Sequence, residues 1–197
     1  MSTTDYIPPP QILHSYPSRP PVEQSPPDQR WILEIGPGKG EFILNQAQEN
    51  PQINFVAIEI RRYRFDKISK KIEKLELKNL FLIKGDAREC LPRLFPEKFF
   101  EAIYVLFPDP WPKKRHAKHR LLKPRLIKQL RGFLKEGGEI FNATDAGFYS
   151  EQIIEAFEEA GGFTRKAIES PFPTYFEQKW IRAGRSIDYW KFVKEAG

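Results

Sequence analysis

Trp31-Ile-Leu-Glu-Ile-Gly-Pro-Gly-Lys-Gly40, continuing into Glu41-Phe-Ile-Leu-Asn-Gln-Ala-Gln48, is the stretch that decides the fold. A short apolar run, three closely spaced glycines and a helical pattern follow one another without a break. The run predicts a buried strand, and the glycines predict a sharp turn that brings backbone close to a ligand. Glu41 to Gln48 reads as the helix behind it.

The same alternation continues downstream. Asn54 to Glu59 reads as a second strand and Arg61 to Leu75 as a charged amphipathic helix. Leu80 to Lys84 is a third strand, ending at Gly85-Asp86-Ala87. Ala102 to Phe107 is a fourth, wholly apolar as a strand covered on both faces should be. A helix over Leu121 to Leu134, closed by Gly137-Gly138, precedes a fifth strand, Glu139 to Thr144. Ser150 to Ala160 is a helix stopped by Gly161-Gly162, and two strand-like runs follow, Phe163 to Ile168 and Ile187 to Val193. Strand–helix alternation of this kind specifies an α/β domain with an open, mostly parallel sheet and helices on both faces. Ligands of such sheets bind at the carboxyl ends of the strands.

Residues 1–28 differ from the rest. They carry eight prolines and almost no periodic apolar pattern, so this arm is expected to be extended or disordered, with the folded domain over 29–197. At 197 residues and 40% hydrophobic content the chain can bury a sizeable core. No apolar run approaches membrane-spanning length and Met1 leads into polar sequence, so neither membrane nor secretion is expected. Cys90 is the only cysteine, which fits a reducing cytoplasm and rules out an internal disulfide.

Three acids fall at strand ends. Glu34 lies just before the glycine turn, where it would repel a diphosphate but suits a cationic ligand. Glu59 comes 23 residues after Gly36, where a carboxylate can accept ribose hydroxyls. Asp86 is placed to take an adenine amino group. The spacing Gly36-x-Gly38-x-Gly40 departs from the dinucleotide pattern, which argues against a nicotinamide cofactor. S-adenosylmethionine, with a sulfonium, an ammonium and no phosphate, matches the sign of these groups.

The fourth strand runs into Pro108-Asp109-Pro110-Trp111-Pro112-Lys113, and the prolines hold Asp109 in a fixed direction. From Lys113 to Arg131 there are nine Lys or Arg and no Asp or Glu. The whole chain has 32 cations and 26 acids; without those nine the balance is 23 to 26, so its +6 becomes −3 elsewhere. That concentration reads as a polyanion docking surface beside a chemical site. His116 and His119 lie inside it without Cys or carboxylate neighbours, so they are read as facing nucleic acid or solvent, and no metal is expected. Asp145, after the fifth strand, and Glu177, in an expected loop, are candidate guanine readers, because one carboxylate can accept N1–H and the exocyclic amine together.

Taken together, Leu33 to Phe42, Ile58-Glu-Ile60, Gly85-Asp-Ala87, the Pro-Asp-Pro-Trp-Pro-Lys-Lys-Arg-His run, Thr144-Asp145 and Thr174-x-x-Glu177 resemble the bacterial tRNA (guanine-N7-)-methyltransferase family. The resemblance covers about Trp31 to Val193. It implies a Rossmann-like class I methyltransferase fold with a seven-stranded, mostly parallel sheet and an antiparallel C-terminal strand. It implies S-adenosylmethionine contacts from Glu34, Gly36, Gly38, Glu59, Asp86, Ala87 and Asp109, with Asp109 catalytic. Substrate contacts are implied for Lys113, Asp145, Thr174 and Glu177, and RNA contacts for Arg115, His116, Lys118, His119 and Arg120. The implied reaction is methylation of N7 of a guanine in the variable loop of tRNA (its position 46), by a cytoplasmic monomer or homodimer. The alternatives are a non-catalytic RNA-binding protein on this scaffold and a methyltransferase acting on another RNA base.

Overall fold

The computed structural model describes residues 14–16, 20–168 and 175–196. In chain order the elements are β1 (His14–Tyr16), β2 (Trp31–Ile35), α1 (Glu41–Glu49), β3 (Asn54–Glu59), α2 (Arg62–Lys74), β4 (Leu80–Lys84), α3 (Ala87–Leu94) and β5 (Phe100–Leu106). There follow α4 (Pro124–Phe133), β6 (Leu134–Thr144), α5 (Gly147–Ala160), β7 (Phe163–Ala167), α6 (Tyr175–Arg182) and β8 (Asp188–Lys194).

One sheet contains all eight strands in the order β1-β4-β3-β2-β5-β6-β8-β7. Pairs β4–β3, β3–β2, β2–β5 and β5–β6 are parallel, whereas β8 runs antiparallel to both β6 and β7. The seven strands from β4 to β7 therefore form the expected sheet with its reversed C-terminal strand. An eighth was not anticipated: β1, inside the Pro-rich arm, pairs antiparallel with β4 from His14 opposite Lys84 to Tyr16 opposite Leu82. The arm is also anchored further on, where the Trp31 indole N–H donates to Ser25 Oγ over 2.7 Å.

The period-two alternation of side chains divides the core. Trp31, Leu33 and Ile35 of β2, Val56 and Ile58 of β3, and Phe81 and Ile83 of β4 pack with Cys90, Leu91, Ile127, Leu130 and Ile153 of α3, α4 and α5. The intervening residues Ile32, Phe55, Ala57, Leu80 and Leu82 pack with Ile43, Leu44, Phe65, Ile68 and Ile72 of α1 and α2. Both faces are thus covered, which is why these strands read as continuous apolar runs.

Three local expectations change. The helix expected over Leu121 to Leu134 begins only at Pro124, because proline suits the first turn, where a donor would have no partner. Gly137-Gly138 lie inside β6 rather than closing a helix. A side chain at Gly138 would meet the Lys135 carbonyl at 2.9 Å and the Glu101 carbonyl at 3.1 Å, beside the irregularity in the β5–β6 pairing. Glu177, expected in a loop, sits in the first turn of α6.

Candidate active site

The sheet order reverses between β2 and β5: β3 and β4 lie to one side, β6 and β8 to the other. At this switch point the carboxyl ends of the strands open into a cleft of about 560 Å³. Glu34, Gly36, Gly38, Glu59, Asp86, Ala87, Asp109, His119 and Asp145 all line it. Residues spread over more than a hundred positions of sequence therefore meet on one rim.

Gly36, Gly38 and Gly40 have φ of 73°, 60° and 77°, a left-handed region that side chains rarely adopt. A Cβ on Gly40 would also stand 3.0 Å from Ile68. The turn thus keeps β2, α1 and α2 close together and leaves backbone facing the cleft.

Behind it stand two buried acids, Glu34 at 3% and Glu59 at 1% exposure. Glu59 Oε1 accepts the Arg61 backbone N–H over 2.8 Å, and the Arg64 guanidinium lies 4.0 Å from Oε2. Yet Oε2 of each acid has no hydrogen-bond partner. Burial, then the Glu59 charge, push the Glu34 carboxyl up to about 8 against a backbone hydrogen bond from Ile43. Burial raises Glu59 too, opposed first by the Arg61 backbone bond and then by the Arg64 charge. Orphaned carboxyl oxygens beside a cleft are acceptors that the donors of a bound ligand can satisfy. Hydroxyl and ammonium groups supply such donors, whereas a phosphate would bring further acceptors and negative charge beside these acids. This donor set fits S-adenosylmethionine.

Asp86 caps α3 by accepting the Arg88 backbone N–H over 2.9 Å. Its carboxylate also takes both ends of the Arg88 guanidinium, which lowers its pKa. Arg88 extends the cleft wall and has no distinctive sequence signal.

On the opposite side Asp109 projects from the proline turn, exposed, with Oδ1 accepting the Trp111 backbone N–H over 3.1 Å. Phe107 and Trp111, on either side, have φ of 50° and 41°. Such conformations in bulky residues are strained and persist only where the surroundings enforce them. The Trp111 ring lies 5.7 Å from that of His116 and 5.2 Å from that of His119. Lys113, Arg115, Lys118 and His119 are exposed along the neighbouring 3₁₀ turn, Lys114–His119. Arg120 turns inward and binds the turn itself.

Asp145 is paired with Arg185. Arg185 lies 4.0 Å over the ring of Trp180, which reaches the cleft from α6. Glu177 is buried and accepts the Tyr189 hydroxyl over 2.6 Å, behind this group rather than on the cleft surface. Thr174 lies outside the described residues. Trp180 and Arg185 were missed by the sequence reading, although the run Lys179-Trp-Ile-Arg-Ala-Gly-Arg185 carries a basic–aromatic signal.

Residues 28–189 match the family model Methyltransf_4, described as "Putative methyltransferase". A tRNA (guanine-N(7)-)-methyltransferase of Nitrosospira multiformis is 37% identical over 84% of this chain and 75% of its own length. The chain belongs to the tRNA (guanine-N(7)-)-methyltransferase family. The family member from Nitrosococcus oceani is 40% identical over 79% of this chain and 68% of its own length. That from Thermotoga maritima is 36% identical over 78% of this chain, which spans about half (50%) of that relative's length. Among solved structures, the aminoglycoside resistance methyltransferase NpmB1 superposes with a TM-score of 0.63 at 19% identity, covering 84% of this chain and 87% of that one. At that identity the likeness speaks for the fold alone. In this sheet, the glycine turn and Asp109 line one cleft.

Proposed function

We propose that this protein transfers the methyl group of S-adenosylmethionine to N7 of a guanine in the variable loop of tRNA (its position 46). The observation carrying this reading is the pairing of two orphaned buried carboxylates with a braced Asp109 on a single cleft, beside a basic surface.

Glu34, Gly36, Gly38, Glu59, Asp86 and Ala87 would hold S-adenosylmethionine, with Glu34 turned toward its cationic end and Glu59 toward the ribose hydroxyls. When bound, it would supply a sulfonium-activated methyl group, the N7–carbon bond forming as the carbon–sulfur bond breaks, so that the sulfur leaves as a neutral thioether and the charge passes to the guanine. N7 has its lone pair available at neutral pH, so no side chain has to remove a proton to create the nucleophile. The contribution of the protein is alignment, and negative charge where positive charge grows. Asp109 is the group in position for the second task, held by Trp111 and aimed into the cleft.

Asp145, with Glu177 behind it, is assigned to the Watson–Crick edge of an extruded guanine, with Lys113 and Thr174 on adjacent atoms. Arg115, His116, Lys118 and His119 are assigned to the RNA backbone. The catalytic domain is 29–197, and residues 1–28 are its arm. Among the described residues no helix is long and apolar enough to cross a membrane. We place the protein in the cytoplasm, where its substrate is found.

Incubating the protein with unmodified tRNA and S-adenosylmethionine, then analysing nucleosides by mass spectrometry, tests the reading. 7-Methylguanosine is the expected product. A methyl group on another base would reassign the substrate atom, and none at all would favour a non-catalytic RNA-binding protein.

A further inference from the structure

Arg120 lies inside the cation run, directly after the 3₁₀ turn, a position that suggests a phosphate ligand, but its guanidinium is committed elsewhere. Nε donates to the Pro110 carbonyl over 2.8 Å and one terminal nitrogen donates to the Trp111 carbonyl over 3.0 Å. The other terminal nitrogen donates to Gln152 Oε1 on α5. The guanidinium also lies 5.5 Å from the ring centre of Phe148 and 5.7 Å from that of Tyr149, both at the start of α5. One planar cation thus grips two successive carbonyls, at Pro110 and the left-handed Trp111, and fastens them to a helix.

We propose that Arg120 is a positioning residue: it holds the turn that aims Asp109 and ties that turn to α5, which begins just after Asp145. Three features support this. Trp111 is strained at φ 41° and needs an external restraint, and two of the Arg120 hydrogen bonds end on the backbone carbonyls of Pro110 and Trp111. The Asp109 carboxylate depends on the Trp111 N–H for its direction, so release of that peptide would free both. Finally, α5 follows directly on Asp145 and Ala146, so a brace to α5 fixes the separation between the two acids of the acceptor side. Lysine cannot replace this arrangement, since an ammonium has no rigid fork to span two carbonyls.

The inference rests on the proposed methyl transfer, and wild-type protein measured alongside separates the two. If wild type forms no 7-methylguanosine, the functional reading fails, whatever Arg120 does. With wild type active, Arg120→Lys should lower kcat at saturating tRNA by about 100-fold, the scale of an ångström-level misplacement. Its tRNA Kd and the salt dependence of that Kd should match wild type, because the charge is kept and was not on phosphate. Calorimetric titration with S-adenosylmethionine shows whether the variant is folded. Wild-type kcat in a folded Arg120→Lys variant, with or without weaker tRNA binding, overturns the proposal. Should that variant give no binding heat, Gln152→Met removes one anchor without removing a cation. A several-fold drop in its kcat at unchanged tRNA affinity supports the brace, and an unchanged kcat overturns it.

Discussion

Glu34 and Glu59 stand on adjacent parallel strands, and each keeps a buried carboxylate oxygen without a hydrogen-bond partner at the edge of the same cleft. Two acids so placed weaken the ligand-free protein and strengthen its hold on a cation with hydroxyl groups. Glu59→Gln removes the charged acceptor while keeping the shape. We expect calorimetry to show S-adenosylmethionine binding weakened by about 1.5–3 kcal/mol, the contribution of a hydrogen bond to a charged group. An unchanged Kd would remove Glu59 from the ligand contacts.

The pH behaviour follows from Glu34. Its folded carboxyl, pushed up to about 8, keeps a proton that the unfolded chain releases near its ordinary 4.5. The stability from this group is complete below 4.5 and is lost as pH rises through about 8. Thermal melts of ligand-free wild type and Glu34→Gln, run from about pH 4 to 9 to bracket that window, should therefore diverge, with wild type losing stability toward alkaline pH relative to the variant. S-adenosylmethionine affinity should run the other way. It should improve in wild type as Glu34 ionises, and lose most of that dependence in Glu34→Gln. Parallel pH profiles in the two proteins would contradict the role given to Glu34.

For Asp109 the expected effect is on the chemical step. Asp109→Ala should reduce single-turnover methyl transfer by about 100- to 1,000-fold, the range seen when one electrostatic stabiliser is removed. Asp109 is exposed, so thermal stability should change little. Wild-type turnover would strip Asp109 of its catalytic assignment.

The basic surface makes a different prediction. Arg115 and Lys118 are exposed and, among the described residues, neither side chain has an ion-pair partner. Each of Arg115→Ala and Lys118→Ala should weaken tRNA binding, and should reduce the slope of log Kd against log salt concentration by about 0.7–0.9 for each phosphate that is no longer neutralised. Filter binding at several salt concentrations measures this. A slope equal to wild type in both variants would place the RNA backbone elsewhere.

How much of this was legible in the sequence depended on range. The bounds of β2, β3 and β4 follow from apolar runs covered on both faces and closed by Gly, Glu or Asp. The acids proposed for the cofactor were legible as cleft residues because each lies at or next to the carboxyl end of one of those strands. By contrast, α3 is only eight residues long and contains Pro92, which reads as a helix breaker. β1 is three residues inside a proline-rich arm and exists through pairing with β4. The group around Asp145 needs β8 to pair with β6, Asp188 opposite Thr144, before Tyr189 and Arg185 come near it. Arg120 resembles its cationic neighbours in sequence, and only folding shows that its donors point to carbonyls. Charge is local information; the direction in which it faces is not.

The central claim concerns a single atom, guanine N7, and a transcript of the tRNA prepared with 7-deazaguanosine removes that atom alone. With labelled S-adenosylmethionine, the ordinary transcript should accept one methyl group and the 7-deaza transcript none, while both bind the protein with similar affinity. Equal labelling of the two transcripts would contradict methylation at N7.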